Sequence, residues 1–118
     1  MEEKMKLLCQ TGVIDEDIFI GMLQVIDDLE THWGRPLPEE QGWMAIVHMA
    51  NALMRSRRGE IIEPLGEDFL QEIAASGELT YLRRLNNALL AKFSVRLHPN
   101  EEGYLLANLF GLRAQQQL

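Results

Sequence analysis

The side chains best suited to chemistry lie in one short segment, VHMANALMR, which runs from Val47 to Arg55. His48 and Asn51 are three residues apart and Arg55 follows four residues later, a spacing that puts all three on one face of an α-helix. Histidine can act as a base, a nucleophile or a metal ligand near neutral pH. The segment therefore raises the question of whether His48 does chemistry or is a half-exposed polar side chain without a chemical role.

No other motif in the sequence supports catalysis or metal binding. His32, His48 and His98 are far apart, and neither an HExxH motif nor a Cys–His cluster is present. Cys9 has no motif around it, which favours a structural thiol in the core over a nucleophile. Glycine loops that bind phosphates or dinucleotides and the GxSxG nucleophile motif are also absent. We therefore predict that the protein is not an enzyme and that it holds neither a metal nor a cofactor.

Composition and charge predict one acidic, cytoplasmic domain over residues 1–118. The chain is 47% hydrophobic and 25% charged, which is typical of globular proteins, and its one cysteine fits a reducing compartment. The amphipathic N-terminus is unlike a secretory signal, and no apolar run approaches the roughly 20 residues of a membrane span. The net charge of -7 argues against direct nucleic-acid binding. The nearest basic cluster, RSRRG from Arg55 to Gly59, is typical of a helix C-terminus.

Apolar spacings of three and four residues predict helices along almost the whole chain, with no strand-like alternation. Asp15 is placed to cap a helix that ends at Gly34, and Pro38 is placed to start a helix that stops at Gly59. A connector with Pro64 and Gly66 is predicted next, followed by a short helix that ends near Gly77. Another helix has Leu82, Leu85 and Leu89 on one side, and Pro99 opens the last helix. The predicted fold is an all-α bundle of five main helices, with a short extra turn near residues 3–10.

The helix predicted between Pro38 and Gly59 is apolar on more than one side. A rotation of about 100° per residue puts His48 opposite the core face. That face consists of Trp43, Ile46, Val47, Ala50, Leu53 and Met54. Because Met44, Ala52 and Met49 lie on or beyond the histidine side, we expect a second cover there, either another helix of the chain or a partner subunit.

Two landmarks of the sequence together resemble the PRD family, the regulation domains of the bacterial phosphotransferase system. The first is a histidine, an alanine four residues later and an arginine seven residues later, on a helix that a glycine follows. This chain has His48, Ala52, Arg55 and Gly59 at those places. The resemblance covers residues 38–115, and it implies a PRD-like helical bundle that forms a homodimer with the signature histidines near the subunit interface.

The second landmark is a proline, an acidic residue and a glycine–aromatic pair, followed by an apolar run that ends in a second histidine. The chain matches this part with Pro99, Glu101, Gly103 and Tyr104. Asn108 stands where the second histidine would be, and a carboxamide has no nucleophilic ring nitrogen. The resemblance therefore leaves His48 as the expected phosphorylation site.

Reversible histidine phosphorylation, with HPr or a sugar-specific IIB component as the donor, is the function that the resemblance implies. Asn51 and Asn108 are expected to orient the imidazole, and Glu101 is expected to lie near the same pocket. Arg55 is expected to meet the phosphoryl charge, either from the same subunit or from the other one, because two helical turns separate it from His48 by about 10 Å. His98 is the second choice of site because it precedes a helix start, where free N–H groups suit a phosphate. The alternative for His98 is an ordinary cap residue.

The chain is short for a family whose members carry a separate RNA- or DNA-binding domain. We therefore expect a stand-alone protein that modulates transcription of a sugar-utilisation operon through protein–protein contacts. The alternative is a dimeric scaffold or interaction protein that keeps the PRD fold and is not phosphorylated, which the missing second histidine favours.

Overall fold

Six α-helices and one short 3-10 turn make up the regular structure of residues 1–116, the part of the chain that the computed structural model describes. These elements are α1 (Glu2–Gln10), α2 (Glu16–Trp33), α3 (Glu39–Arg57), α4 (Glu67–Ala75), α5 (Leu79–Leu90), the 3-10 turn (Pro99–Glu101) and α6 (Glu102–Gln116). The predicted all-α class is confirmed, since the described range contains no strand. The end of the predicted 1–118 domain, residues 117 and 118, lies outside that range. None of the helices in residues 1–116 has the length and apolarity needed to cross a membrane.

The predicted count of five main helices is one too low, because α1 is a full helix rather than a short turn. It is nine residues long, and Met5 is its one buried residue. Cys9 is half-buried and packs against the core, as expected of a structural thiol. A single buried side chain leaves almost no periodic signal in the sequence, which explains why the pattern understated this helix.

The predicted boundaries of α2 and α3 are confirmed. Asp15 is the N-cap residue of α2, and Gly34 ends that helix in the left-handed conformation, with a φ of 71°. Pro38 is the N-cap residue of α3, and Gly59 follows its C-terminus with a φ of 75°. The Asp15 carboxylate caps no N–H group and instead accepts a hydrogen bond of 2.7 Å from Nη1 of Arg57. This bond ties the start of α2 to the end of α3.

α3 is covered by its own chain on two sides, because it packs against both α2 and α6. Its buried residues are Gly42, Ala45, Ile46, Met49, Ala50, Ala52, Leu53 and Met54. Met49 and Ala52 lie away from the predicted core face, and the second packing partner accounts for their burial. Trp43 and Val47, predicted in the core face, are only partly buried. His48 stays exposed, and so does Met44, which is 51% exposed.

Every α-helix contributes at least one fully buried side chain to the core. Examples, taken in helix order, are Met5, Ile18, Ile46, Ile73, Leu82 and Leu106. α6 packs against α3, α4 and α5, so it occupies the centre of the C-terminal half of the fold. This packing holds α6 beside α3, and the candidate site lies along their contact.

Candidate functional site

The contact between α3 and α6 brings together His48 and Asn108, which are 60 residues apart in the sequence. The amide nitrogen Nδ2 of Asn108 lies 3.0 Å from Nδ1 of His48. His48 is exposed and Asn108 is half-buried. The imidazole is therefore anchored through one nitrogen while the residue remains accessible from outside.

The hydrogen bond from Asn108 gives different roles to the two ring nitrogens of His48. An amide NH2 group can only donate, so Nδ1 is the acceptor and the neutral ring carries its proton on Nε2. In this arrangement neither nitrogen has a free lone pair. A rotation of the carboxamide by about 180° would present Oδ1 instead, hold the proton on Nδ1 and free Nε2 as a nucleophile.

A half-buried ion pair lies further along α3. Nε and Nη2 of Arg55 donate to Oε2 and Oε1 of Glu101, each across 2.9 Å. Glu101 is 1% exposed, whereas the Arg55 side chain is 34% exposed. The two-point geometry is the strongest way in which arginine binds a carboxylate. The hydrogen bonds to Glu101 raise the pKa of Arg55 above its ordinary value, although burial of the guanidinium opposes this shift.

One pocket of about 390 Å³ contains both the imidazole and the ion pair. Its lining residues are His48, Arg55, Ile62, Glu101, Tyr104 and Leu105. Two of them belong to α3, one to the connector between α3 and α4, and three to the 3-10 turn and α6. The pocket volume falls within the usual range of ligand-binding sites, so it can receive a phosphoryl group or a partner side chain.

The connector between α3 and α4 is held against this pocket by the start of the C-terminal helix. Nδ2 of Asn100 donates to the carbonyl oxygen of Ile62 across 3.0 Å. The hydroxyl group of Tyr104 donates to the carbonyl oxygen of Glu63 across 2.9 Å. These two hydrogen bonds therefore tie the connector to the 3-10 turn and the start of α6, which form one wall of the pocket.

Three of the predicted site residues, Asn51, His98 and Asn108, lie outside the lining of this pocket, although Asn108 contacts His48, which lines it. Asn51 is half-buried, and within residues 1–116 no hydrogen bond joins its side chain to His48. His98 is the N-cap residue of the 3-10 turn, where its Nδ1 accepts a hydrogen bond of 3.1 Å from the backbone N–H of Asn100. This geometry is that of the cap residue considered as the alternative for His98.

Residues from three helices form a polar cluster that the sequence pattern does not predict. Nε1 of Trp33 donates to the hydroxyl oxygen of Tyr81 across 2.9 Å, and Nε2 of His32 lies 3.0 Å from the same oxygen. The guanidinium carbon of Arg113 lies 4.3 Å from the centre of the Tyr81 ring. The members belong to α2, α5 and α6, so no local spacing could reveal the cluster.

Metal binding finds no support in the described part of the chain. No group of three or more His, Cys, Asp or Glu side chains in residues 1–116 is arranged to hold an ion. The pocket presents the His48 imidazole and the Arg55 guanidinium. Together these groups suit the acceptance and binding of a phosphoryl group.

Fold and pocket together define a small all-α protein in which an exposed histidine lines the same pocket as an arginine and the buried glutamate that it pairs with. A protein of Escherichia coli (strain K12), named uncharacterized protein YhfY, is 54% identical to this chain over 112 residues, which make up 95% of this chain and 93% of that protein. The chain belongs to the same family as YhfY. No protein-family model matches the sequence, and no solved structure matches it.

Proposed function

We propose that this protein is a PRD-like regulatory module that responds to the bacterial phosphotransferase system through reversible phosphorylation of His48. It acts in the cytoplasm and modulates transcription of a sugar-utilisation operon through protein–protein contacts, without catalysis. The observation that carries the proposal is the pocket that His48 shares with the Arg55–Glu101 pair, together with the hydrogen bond by which Asn108 anchors the exposed imidazole. Both of the sequence landmarks that resemble the PRD family contribute residues to this pocket.

Phosphoryl transfer to His48 requires a free lone pair on one ring nitrogen. When Asn108 presents its oxygen, the Nε2 lone pair forms a new N–P bond while the N–P bond of the donor phosphohistidine breaks. The donor ring, protonated on its other nitrogen, takes back the electron pair and leaves as a neutral imidazole. His48 keeps its proton on Nδ1, bound to Oδ1 of Asn108. Asn108 is therefore a positioning residue for the nucleophile.

Arg55 is the group in the pocket that meets the added charge. Phosphorylation brings about two negative charges at pH 7. The pair with Glu101 uses Nε and Nη2, so within the described residues the two N–H groups of Nη1 remain for a phosphate oxygen. The phosphoryl group and Glu101 then share one guanidinium. This sharing couples the state of His48 to the contact between α3 and the 3-10 turn that precedes α6.

Association of two copies is part of the proposal, because the PRD resemblance implies a homodimer. Met44 lies one turn before His48 on α3 and is 51% exposed, and Ile61 in the connector is 66% exposed. Large apolar side chains in such positions support a face that a second protein molecule covers. Phosphoryl groups on both copies would repel each other at such an interface or draw in arginines.

The test is transfer of radiolabelled phosphate from HPr or from a sugar-specific IIB component to the purified protein. We expect acid-labile label on the wild-type protein and on the matched controls His32→Gln and His98→Gln, and none on His48→Gln. Equal labelling of His48→Gln would place the site elsewhere. Absence of labelling by either class of donor would contradict the proposed function.

A second function is supported by Asn108, which cannot accept a phosphoryl group. Under this alternative the protein is a dimeric scaffold that keeps the PRD fold and is not phosphorylated. It then shows no labelling, and its binding to a partner is the same for wild type and His48→Gln. The labelling experiment therefore distinguishes the two functions.

A further inference from the structure

An open groove of about 530 Å³ lies between α2 and α5. Its α2 wall consists of Asp27, Asp28, Thr31 and His32, so every side chain on this wall is polar. The groove shares no lining residue with the pocket that contains His48. Its volume is within the usual range of small-molecule sites.

The α5 wall of the groove is largely apolar. Leu85, Ala88 and Leu89 follow Tyr81 and Arg84 along this wall. Leu89 is buried and forms part of the core, whereas Leu85 is half-buried and Ala88 is exposed. A polar wall that faces an apolar wall suits a ligand with one polar and one apolar end.

Two side-chain contacts join the walls of the groove. Nε2 of His32 lies 3.0 Å from the hydroxyl oxygen of Tyr81, near the start of α5. Asp28 forms an ion pair with Lys92, just beyond the end of α5. The protein therefore already uses His32 and Asp28 in contacts of its own.

Asp27 and Arg84 are lining residues of opposite charge on opposite walls. Within residues 1–116 neither side chain forms a hydrogen bond or an ion pair, including one with the other. Their charged atoms are therefore more than 4.0 Å apart, and both side chains are exposed. The groove thus presents an unpaired carboxylate and an unpaired guanidinium beside an apolar surface.

We propose that this groove binds a free amino acid with an apolar side chain, in its zwitterionic form. The Asp27 carboxylate accepts hydrogen bonds from the ammonium group of the ligand. The Arg84 guanidinium donates to the carboxylate of the ligand, whose two oxygens match its two-point geometry. The side chain of the ligand packs on Leu85 and Ala88. This proposal does not depend on the phosphorylation of His48.

The two unpaired charges favour a zwitterion over a ligand with a single charge. An anion would approach Asp27 and a cation would approach Arg84, and like charges repel each other. An α-amino acid holds its nitrogen about 2.5 Å from its carboxylate carbon, and hydrogen bonds of about 2.8 Å extend its reach at both ends. Such a ligand therefore connects two charges that are too far apart to pair directly.

The test uses L-phenylalanine and L-leucine as probes. The matched controls are the N-acetyl form of each, which lacks the ammonium group, and the amide form of each, which lacks the carboxylate. Each compound is titrated at millimolar concentrations into the purified protein, and the backbone amide resonances of α2 and α5 are followed by NMR. We expect at least one of the two amino acids to shift these resonances in a saturable way. Its N-acetyl and amide forms should bind about tenfold more weakly, because each loses charge-assisted hydrogen bonds.

Variants of the protein test the two charges separately. Asp27→Asn and Arg84→Gln should each weaken amino-acid binding about tenfold, for the same reason. Glu16→Gln on α2 and Arg83→Gln on α5 are the matched controls, because both residues are exposed and lie outside the groove lining. All four changes are at exposed positions, so the melting temperatures should stay close to that of the wild-type protein. Weaker binding then cannot be attributed to unfolding.

Three outcomes would overturn the proposal. One is that neither amino acid shifts the resonances of α2 and α5 in a saturable way. Another is that the N-acetyl or the amide form binds as tightly as the free amino acid, because one of the charges would then play no part. The third is that Asp27→Asn or Arg84→Gln binds the amino acid as tightly as the wild-type protein does.

Discussion

Nδ1 of His48 accepts a hydrogen bond of 3.0 Å from the side-chain amide of Asn108. The bond joins α3 to α6, so the orientation of the imidazole depends on how these two helices pack. A carboxamide can turn either its NH2 group or its oxygen toward a ring nitrogen. The state of Asn108 therefore determines whether Nε2 of His48 carries a proton or a free lone pair.

Replacement of Asn108 is expected to change the rate of phosphoryl transfer to His48. Asn108→Asp introduces a carboxylate that only accepts, so the proton should stay on Nδ1 and Nε2 should be free. Asn108→Leu removes the anchor without adding charge. We expect the aspartate variant to be labelled roughly tenfold faster than the leucine variant, about the effect of one charge-assisted hydrogen bond. Rapid-quench labelling measures the two rates, and an aspartate variant as slow as the leucine variant would contradict the role of Asn108.

Removal of Arg55 is expected to destabilise the protein strongly. In Arg55→Ala the buried carboxylate of Glu101 loses both of its hydrogen bonds, and an uncompensated buried charge costs about 3–5 kcal/mol. Arg57→Ala is the matched control, because Arg57 pairs with the exposed carboxylates of Asp15 and Asp17. Exposed pairs contribute less than about 1 kcal/mol. Urea unfolding followed by circular dichroism measures the free energy of unfolding of both variants. An equal decrease in Arg55→Ala and Arg57→Ala would show that the Arg55–Glu101 pair stabilises the fold no more than the exposed pairs of Arg57 do.

Two glycines of α6 should respond to alanine in opposite ways. A Cβ at Gly103 would lie 2.9 Å from the Cβ of Leu65, so Gly103→Ala should push the connector away from α6 and cost about 1–3 kcal/mol. A Cβ at Gly111 meets nothing within 4 Å, so Gly111→Ala should stabilise the helix by up to about 1 kcal/mol. Thermal unfolding of both variants tests this difference. If Gly103→Ala left the melting temperature unchanged, the connector would move away from α6 without loss of stability, contrary to the prediction.

Asp17 should make a small, pH-dependent contribution to stability. Hydrogen bonds from Arg57 lower the pKa of Asp17 below its ordinary value of 3.8. A lowered folded-state pKa stabilises the fold above the unfolded-state pKa, and this stabilisation is lost as the pH falls through the folded-state value. Asp17→Asn should therefore lower the unfolding midpoint slightly at pH 7 and less at pH 3. Asp68→Asn is the matched control, because Asp68 is likewise exposed in the first turn of a helix, and it should lower the midpoint at pH 7 by less than Asp17→Asn does. If the difference in unfolding midpoint between wild type and Asp17→Asn were larger at pH 3 than at pH 7, the stabilising role of the Asp17 carboxylate would be contradicted.

The face that bears Met44 should mediate self-association if the protein is a homodimer. Met44→Glu places a charge one turn before His48 and is expected to weaken the dimer at least tenfold, since a buried unpaired charge at an interface is costly. Ile20→Glu is the matched control on α2, where the isoleucine is 49% exposed. Analytical ultracentrifugation measures the dimer dissociation constant of both variants. Loss of the dimer in Ile20→Glu with retention in Met44→Glu would place the interface elsewhere.

The helical fold was largely predictable because helix signals are local. Backbone hydrogen bonds in a helix join residues four apart, and its apolar face recurs within the same range. Gly34, Pro38 and Gly59 therefore mark the ends of α2 and α3 in the sequence as they do in the structure. α1 was understated because Met5 alone is buried in it. The sequence shows Asn86 as an amide between Leu82 and Leu89 in an apolar stripe, but it does not show that the amide lacks a hydrogen-bond partner within residues 1–116.

The sequence by itself determined the helical class, most helix boundaries and the position of His48 opposite the predicted core face of α3. Only the tertiary structure decided that Asn108 anchors His48, that Glu101 is buried against Arg55, and that Asn51 and His98 lie outside their pocket. The first two contacts span 60 and 46 residues. Such contacts depend on the rotation and depth at which α6 packs against α3, and these are set by the whole core rather than by any local spacing.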